Sequence, residues 1–217
     1  MKKNLTIEQK KKYVIDDYND IVQEYTEEFF DDKSDEKYID QFLQSLKGKN
    51  VLDAGCGNGR DCKYINQKGF KVKGIDLSKE MLVIAKKMAP KVDFEVMDIT
   101  NITYSDNSYD GIISNCSFFH IPVEELPKTL NSFSKILKPN GKLLLILQEG
   151  LGEAMIEEPF RKGVYIYINY FSVKQISELL LKHGFEIDSI LKEESPNDLE
   201  LGKGKGKLIV LSHNTKR

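Results

Sequence analysis

The chain has 217 residues, enough for one well-buried domain. With 40% hydrophobic and 30% charged residues it reads as an ordinary globular protein, and no segment reaches the ~18 uninterrupted apolar residues of a membrane span. A net charge of −2 argues against a broad basic footprint for nucleic acid, the lysine-bearing N-terminus lacks the apolar stretch of a secretory signal, and three cysteines without metal-ligand spacing predict free thiols in a cytoplasmic, reducing setting.

The first pattern is helical. From Val14 the apolar and aromatic positions fall at 14, 18, 21, 22, 25 and 29, and Thr6 with Gln9 predicts a capping box at its start. A second helix is expected over 35–46, with Tyr38, Ile39, Phe42, Leu43 and Leu46 inward. After Gly48 the period changes. Val51–Leu52 open a strand, 61–68 reads as a helix ended by Gly69, 70–76 as a strand, and 79–88 as a helix entered through Ser78. Strands follow over 92–97 and 109–114, then a helix over 124–137, a Lys138-Pro139-Asn140-Gly141 turn and an apolar strand over 142–147. Ser172 with Gln175 begins a last helix that stops at Gly184, before strands over 185–191 and 207–211. The Gly-Lys run between these two strands reads as a solvated hairpin loop. This cadence predicts an α/β fold: a doubly wound, Rossmann-like sheet, mostly parallel, with helices on both faces and a C-terminal antiparallel hairpin strand.

The stretch VLDAGCGNGRD at 51–61 places a glycine-rich turn after the first strand of the sheet. A dinucleotide fingerprint wants G-x-G-x-x-G; Gly55 and Gly57 fit it, but Arg60 stands at the third position and the third glycine is Gly59. No Gly-Lys-Ser/Thr ends the loop, which excludes a phosphate-binding P-loop. Asp53 at the strand end would repel a pyrophosphate and favour a ligand bearing an ammonium group. Asp76 ends the next strand, where a carboxylate can accept from both hydroxyls of a ribose, and Asp98 ends the third, within reach of an adenine edge. A cationic, phosphate-free adenosine fits three strand-end acids better than NAD does.

Five motifs in order, VLDAGCGNGRD, GIDLSKEML, FEVMDI, YDGIISNCSFFHIP and LKPNGKLLLIL, resemble those of class I S-adenosylmethionine-dependent methyltransferases, over a stretch running from about Tyr18 to the C-terminal strand. The resemblance implies a single methyltransferase domain over 1–217: a helical lid at 1–47, a cofactor-binding core at 48–148, an acceptor-side insert at 149–171, and a C-terminal helix and strand hairpin at 172–217. It implies S-adenosylmethionine as cofactor, with S-adenosylhomocysteine as product. Gly55, Cys56, Gly57 and Gly59 would let the backbone approach the methionyl part, with Asp53 near its amino group. Asp76 would bind the ribose, and Leu77, Ser78 and Met81 would flank the adenine. Asp98 and Ile99 would contact the ring, and Asn115–Cys116 the amino-acid moiety. Tyr18 and Tyr25 resemble the lid, although core aromatics would give the same pattern. Arg60 departs from the commonest pattern and either pairs with the cofactor carboxylate or caps the sheet.

The acceptor side is less specified. His120, after the fourth strand, is a candidate general base or a structural pocket histidine. Phe118, His120, Glu149, Arg161, Tyr167 and Tyr170 are candidate substrate-pocket residues, and strand packing would equally explain the aromatics of the insert. Buried thiols at Cys56, Cys62 and Cys116 are read as inert. A small-molecule O, N or S acceptor is favoured over nucleic acid because no basic module is present, and no metal site is expected. The assembly is expected to be a monomer or homodimer without a membrane partner. A non-catalytic S-adenosylmethionine-binding protein, an RNA or protein methyltransferase, and a nicotinamide-dependent dehydrogenase are the alternatives.

Overall fold

A computed structural model describes residues 5–158, 160–194 and 206–216. In chain order the elements are α1 (Ile7–Asp20), α2 (Val22–Phe29), α3 (Glu36–Ser45), β1 (Asn50–Ala54), α4 (Arg60–Gln67), β2 (Lys71–Asp76), α5 (Lys79–Met88), β3 (Asp93–Val96), β4 (Tyr109–Asn115), α6 (Leu126–Ile136), β5 (Leu137–Gln148), β6 (Gly152–Glu157), β7 (Tyr165–Tyr170), α7 (Val173–Lys182), β8 (Phe185–Glu193) and β9 (Lys207–Asn214). Seven strands form one sheet in the order β3-β2-β1-β4-β5-β9-β8. Neighbours are parallel from β3 to β5, and β9 runs antiparallel to both β5 and β8. The sheet is the doubly wound one expected, with the antiparallel strand where the C-terminal hairpin was read.

The central strands show why both faces are covered. Along β5, Leu143, Leu145 and Leu147 enter a core with α6 and α7, while Leu144 and Ile146 enter the opposite one with α3, α4 and α5. Side chains alternate across a strand, so a continuous apolar run requires helices above and below. The predicted turn at 138–141 survives as an excursion within β5. Tyr109 pairs with Leu137 and Gly111 with Lys142, so the intervening residues bulge out opposite Asp110, whose carboxylate accepts from Lys138 Nζ at 2.8 Å.

One expectation is corrected and one open alternative is decided. The stripe from Val14 to Phe29 is two helices, α1 and α2, broken at Ile21 (φ −103°, ψ 10°), a residue 1% exposed. Neither glycine nor proline marks the break, so the burial of Ile21 decides it. The aromatics of the insert belong to a two-stranded antiparallel sheet, β6 with β7, in which Ile166, Ile168 and Tyr170 join the α6–α7 core. The Gly-Lys run lies outside the described residues except for Gly206 and Lys207.

Helix α1 packs on β7 through a buried face that carries Lys10 and Asp17. Lys10 Nζ donates to Glu124 at 3.2 Å and Glu153 at 3.0 Å. Asp17 is 2% exposed, and neither carboxylate oxygen has a hydrogen-bond partner among the described residues. Burial, and then the Glu158 carboxylate, push it from an ordinary 3.8 up to about 7. An acid raised on folding stabilises below its unfolded value and loses that contribution as pH rises toward its folded value. Wild type should therefore lose about 1 kcal/mol or more, relative to Asp17→Asn, between pH 4 and 7.5 in urea denaturation. Parallel profiles for the two proteins would contradict this account.

Candidate functional site

The strand order reverses between β1 and β4, so the turns leaving their carboxyl ends diverge and open a crevice. The turn after β1 is stretched across it. Gly55, Gly57 and Gly59 have φ of 84°, 49° and 80°, which a Cβ would strain. Gly55 N and Cys56 N donate to the Ile75 carbonyl at 2.8 and 3.0 Å, and Gly57 N donates to Asp76 Oδ2 at 2.9 Å. Ser78 N donates to the other Asp76 oxygen at 2.8 Å, and Ser78 caps α5 by accepting from Met81 N. A Cβ on Gly57 would meet nothing within 4 Å, so this part of the backbone faces open space.

That space is a cavity bounded by the glycine turn, the ends of β1, β2 and β4, the segment after β3, and the helices α1 and α2. Its wall includes Tyr18, Tyr25, Asp53, Gly55, Cys56, Gly57, Arg60, Asp76, Leu77, Ser78, Met81, Asp98, Ile99, Asn115, Cys116 and His120. Sequence reasoning missed Asn58, Asp61, Met97, Ser117 and several residues of α1. Lys11, Val14 and Ile15 share a helical face with Tyr18, and that spacing is the signal that would have found them.

Other candidates lie elsewhere. Gly59 is not on the cavity wall; a Cβ there would stand 2.9 Å from Ala85 and 3.0 Å from Phe94, so it allows α4 to pack on α5 and β3. Phe118 is fully buried between Phe133 and Phe171. Glu149 pairs with Lys192. Arg161 bonds the Asp20 carbonyl at 2.8 Å and pairs with Asp20 and Glu24. Tyr170 is buried in the α6–α7 core. Tyr167 sends its hydroxyl to Glu153 and Asn169, at 2.6 and 2.8 Å, rather than to the cavity. Tyr167 and Tyr170 are placed by the β6–β7 ladder, while Phe118, Glu149 and Arg161 are held by contacts outside the cavity.

The electrostatics of the wall are uneven. Burial, then the neighbouring Asp61 charge, raise Asp53 well above the carboxylate range, and Cys62 Sγ donates to it at 3.2 Å. Burial also raises Asp76, opposed by the amides of Ser78 and Gly57. Asp98 moves the other way: burial raises it, but the bonds from Lys11 and Thr100 more than offset that. Burial pushes Cys56 up to about 11 and Cys116 up to about 12, so both remain thiols near neutral pH. Arg60 is held by Asp61 at 2.8 Å, Asp32 at 3.5 Å and the Phe29 carbonyl at 3.4 Å.

His120 is locked between two partners. Its Nδ1 lies 2.8 Å from the Tyr167 carbonyl oxygen, which can only accept, so Nδ1 carries the proton. Nε2 therefore accepts from the Tyr18 hydroxyl at 3.0 Å. Burial pushes the imidazole down to about 4, which keeps it neutral near pH 7.

Two polar atoms of the wall residues are buried and unpartnered among the described residues: Asn58 Nδ2, a donor, and Asn115 Oδ1, an acceptor. The Asn115 amide is fixed from its other end, where Nδ2 donates to Asp61 at 2.9 Å and Asp35 at 3.2 Å. Such atoms cost about 1–3 kcal/mol each unless a ligand or water meets them.

Comparisons with known proteins bear on this geometry. Residues 51–141 match a family model described as a methyltransferase domain. The chain is 41% identical over 113 residues to phosphoethanolamine N-methyltransferase 1 of Zea mays, covering 48% of this chain and 22% of that protein. It is 31% identical over 157 residues to phosphoethanolamine N-methyltransferase 2 of Caenorhabditis elegans, covering 69% of this chain and 35% of that protein. The chain thus spans between 22% and 35% of the length of these two relatives. Among solved structures, the 1,6-didemethyltoxoflavin-N1-methyltransferase of Burkholderia thailandensis, crystallised with 1,6-didemethyltoxoflavin and S-adenosylhomocysteine, superposes with a TM-score of 0.80 at 18% identity. That match covers 100% of this chain and 93% of the other.

The glycine turn gives a direct test of the site's construction. A Cβ on Gly55 would fall 1.7 Å from Ser117 Oγ in addition to its positive φ. Gly55→Ala should lower stability by ~2 kcal/mol or more in chemical denaturation. Placing it in a Ser117→Gly background should recover the steric part and leave the backbone part. An unperturbed single variant would show that the turn is not clamped as described.

Proposed function

Because the chain carries a class I S-adenosylmethionine-dependent methyltransferase domain, we propose that it transfers a methyl group to a small-molecule O, N or S acceptor and releases S-adenosylhomocysteine. The observation that carries this reading is the convergence of Asp53, Asp76, Asp98 and the glycine turn on one cavity that α1 and α2 close. The donor set suits the cofactor.

When bound, the cofactor supplies a methyl group already activated on a sulfonium, so the protein's task is alignment and exclusion of water. Asp76, held by two backbone amides, would accept from the ribose hydroxyls. Leu77, Met81 and Ile99 would give the adenine an apolar bed. Asp53, whose charge burial and Asp61 oppose, would be favoured in its ionised form by the ammonium beside it. Helices α1 and α2 form the lid, tied down where Ser78 Oγ donates to Asn19 Oδ1 at 2.7 Å and Lys11 reaches Asp98 at 2.8 Å. Neutral His120 orients the Tyr18 hydroxyl toward itself, leaving the phenol oxygen's lone pairs for an acceptor O–H or N–H. Its low basicity fits positioning rather than strong general-base catalysis. No helix among the described residues is long and apolar enough to cross a membrane, and the three free cysteines support a reducing, cytoplasmic setting.

Calorimetric titration should show saturable binding of S-adenosylmethionine and S-adenosylhomocysteine and none of NAD. Asp76→Ala should weaken S-adenosylmethionine at least ~10-fold with an unchanged fold by circular dichroism. Binding of NAD in place of the other two would overturn the reading. Cofactor binding near pH 7 should also release protons, because a cation beside Asp53 lowers its raised pKa. Titrations in buffers of different ionisation enthalpy measure that release, and Asp53→Asn should reduce it.

A further inference from the structure

We propose that the acceptor is an uncharged small molecule with an apolar or planar body, free of phosphate and carboxylate groups, that donates an O–H or N–H to the Tyr18 hydroxyl oxygen. This rests on the methyltransferase reading above and narrows it by the charge balance of the cavity. Asp61, Asp76 and Asp98 stand on the wall with two cations, Lys11 and Arg60, beside Asp53, whose burial opposes its charge. Both cations are occupied. Lys11 Nζ lies 2.8 Å from Asp98, 2.7 Å from Thr100 and 2.5 Å from Glu125. Arg60 is fixed on Asp61, Asp32 and the Phe29 carbonyl.

The cations beside the cavity are committed too. Lys10, 5% exposed, sits between Glu124 and Glu153, and Arg161 pairs with Asp20 and Glu24. Among the described residues, then, each cation on or next to the lid side of the cavity already faces carboxylate. A phosphorylated acceptor would have to compete with Asp98 and Glu125 for Lys11 or with Asp61 for Arg60, pairs whose side chains are only 11–27% exposed and therefore weakly screened.

The rest of the wall is largely apolar and aromatic, with Val14, Ile15, Ile121 and Pro122 on it. Tyr18 stands edge-on to Tyr25 at 5.5 Å between centroids, and Tyr25 meets Phe29 at 4.9 Å. This arrangement presents ring edges and faces to a flat guest. The His120 pair leaves the Tyr18 oxygen as an acceptor, so the complementary guest is a donor.

The test uses protein loaded with S-adenosylhomocysteine, titrated calorimetrically with catechol, benzimidazole, phenyl phosphate and phosphoethanolamine. Catechol or benzimidazole should bind at least ~10-fold more tightly than either phosphate, and Tyr18→Phe should weaken that binding by ~5-fold. A phosphorylated probe binding as tightly as the neutral ones, or no binding by either neutral ring, overturns the proposal. Failure of S-adenosylhomocysteine itself to load overturns the methyltransferase reading, and the acceptor class falls with it.

Discussion

The site depends on one half-buried carboxylate on the cavity wall. Asp76 receives Gly57 N–H on one oxygen and Ser78 N–H on the other, joining the turn after β1 to the turn after β2. Two further amides of the glycine turn bond the Ile75 carbonyl, so the whole loop is registered against β2. This registration forces the positive φ values of Gly55 and Gly57 and brings Gly55 against Ser117, which follows β4. Three strand ends are thereby locked around a single crevice. Desolvation pushes Asp76 above the ordinary carboxylate value, and the two amide donors oppose that push.

The N-terminal helices are held over that crevice by polar contacts with opposing effects. Lys10 and Lys11 anchor α1 to Glu124, Glu153, Asp98 and Glu125, while Tyr18 reaches His120, which in turn is held by the β7 backbone. These contacts link α1 to three separate parts of the chain. Asp17 works in the other direction, since its carboxylate is buried on the same helix without a hydrogen-bond partner among the described residues. Buried ion pairs contribute less to stability than to geometry, because desolvation offsets much of their attraction. Their effect here is to fix where the aromatic side chains stand and to keep the lid-side cations away from an incoming ligand.

Motif and site were not equally legible. The glycine turn, the strand-end acids and the capping residues Thr6, Ser78 and Ser172 are local features, and each announces itself within a few residues of sequence. The candidate substrate-pocket positions that do not line the cavity, Phe118, Glu149, Arg161, Tyr167 and Tyr170, share an aromatic or charged identity that suits a pocket and a β-ladder equally well. Which of the two they serve depends on the pairing of β6 with β7 and on the core beneath them. Gly59 shows the same ambiguity at a single residue, since helix packing and ligand approach both ask for a missing Cβ.

The sequence alone determined the α/β alternation, the placement of three carboxylates at strand ends and the exclusion of a phosphate-cradling loop, because periodicity, capping and turn chemistry act over short chain distances. Tertiary structure decided the break of the first helix at Ile21, the neutral tautomer of His120 and the pairing of Lys10, Lys11 and Arg60. Those outcomes depend on partners distant in the chain, whose approach no local pattern encodes. The charge state of the cavity wall is therefore set by how α1 and α2 pack over it, not by the motifs beneath.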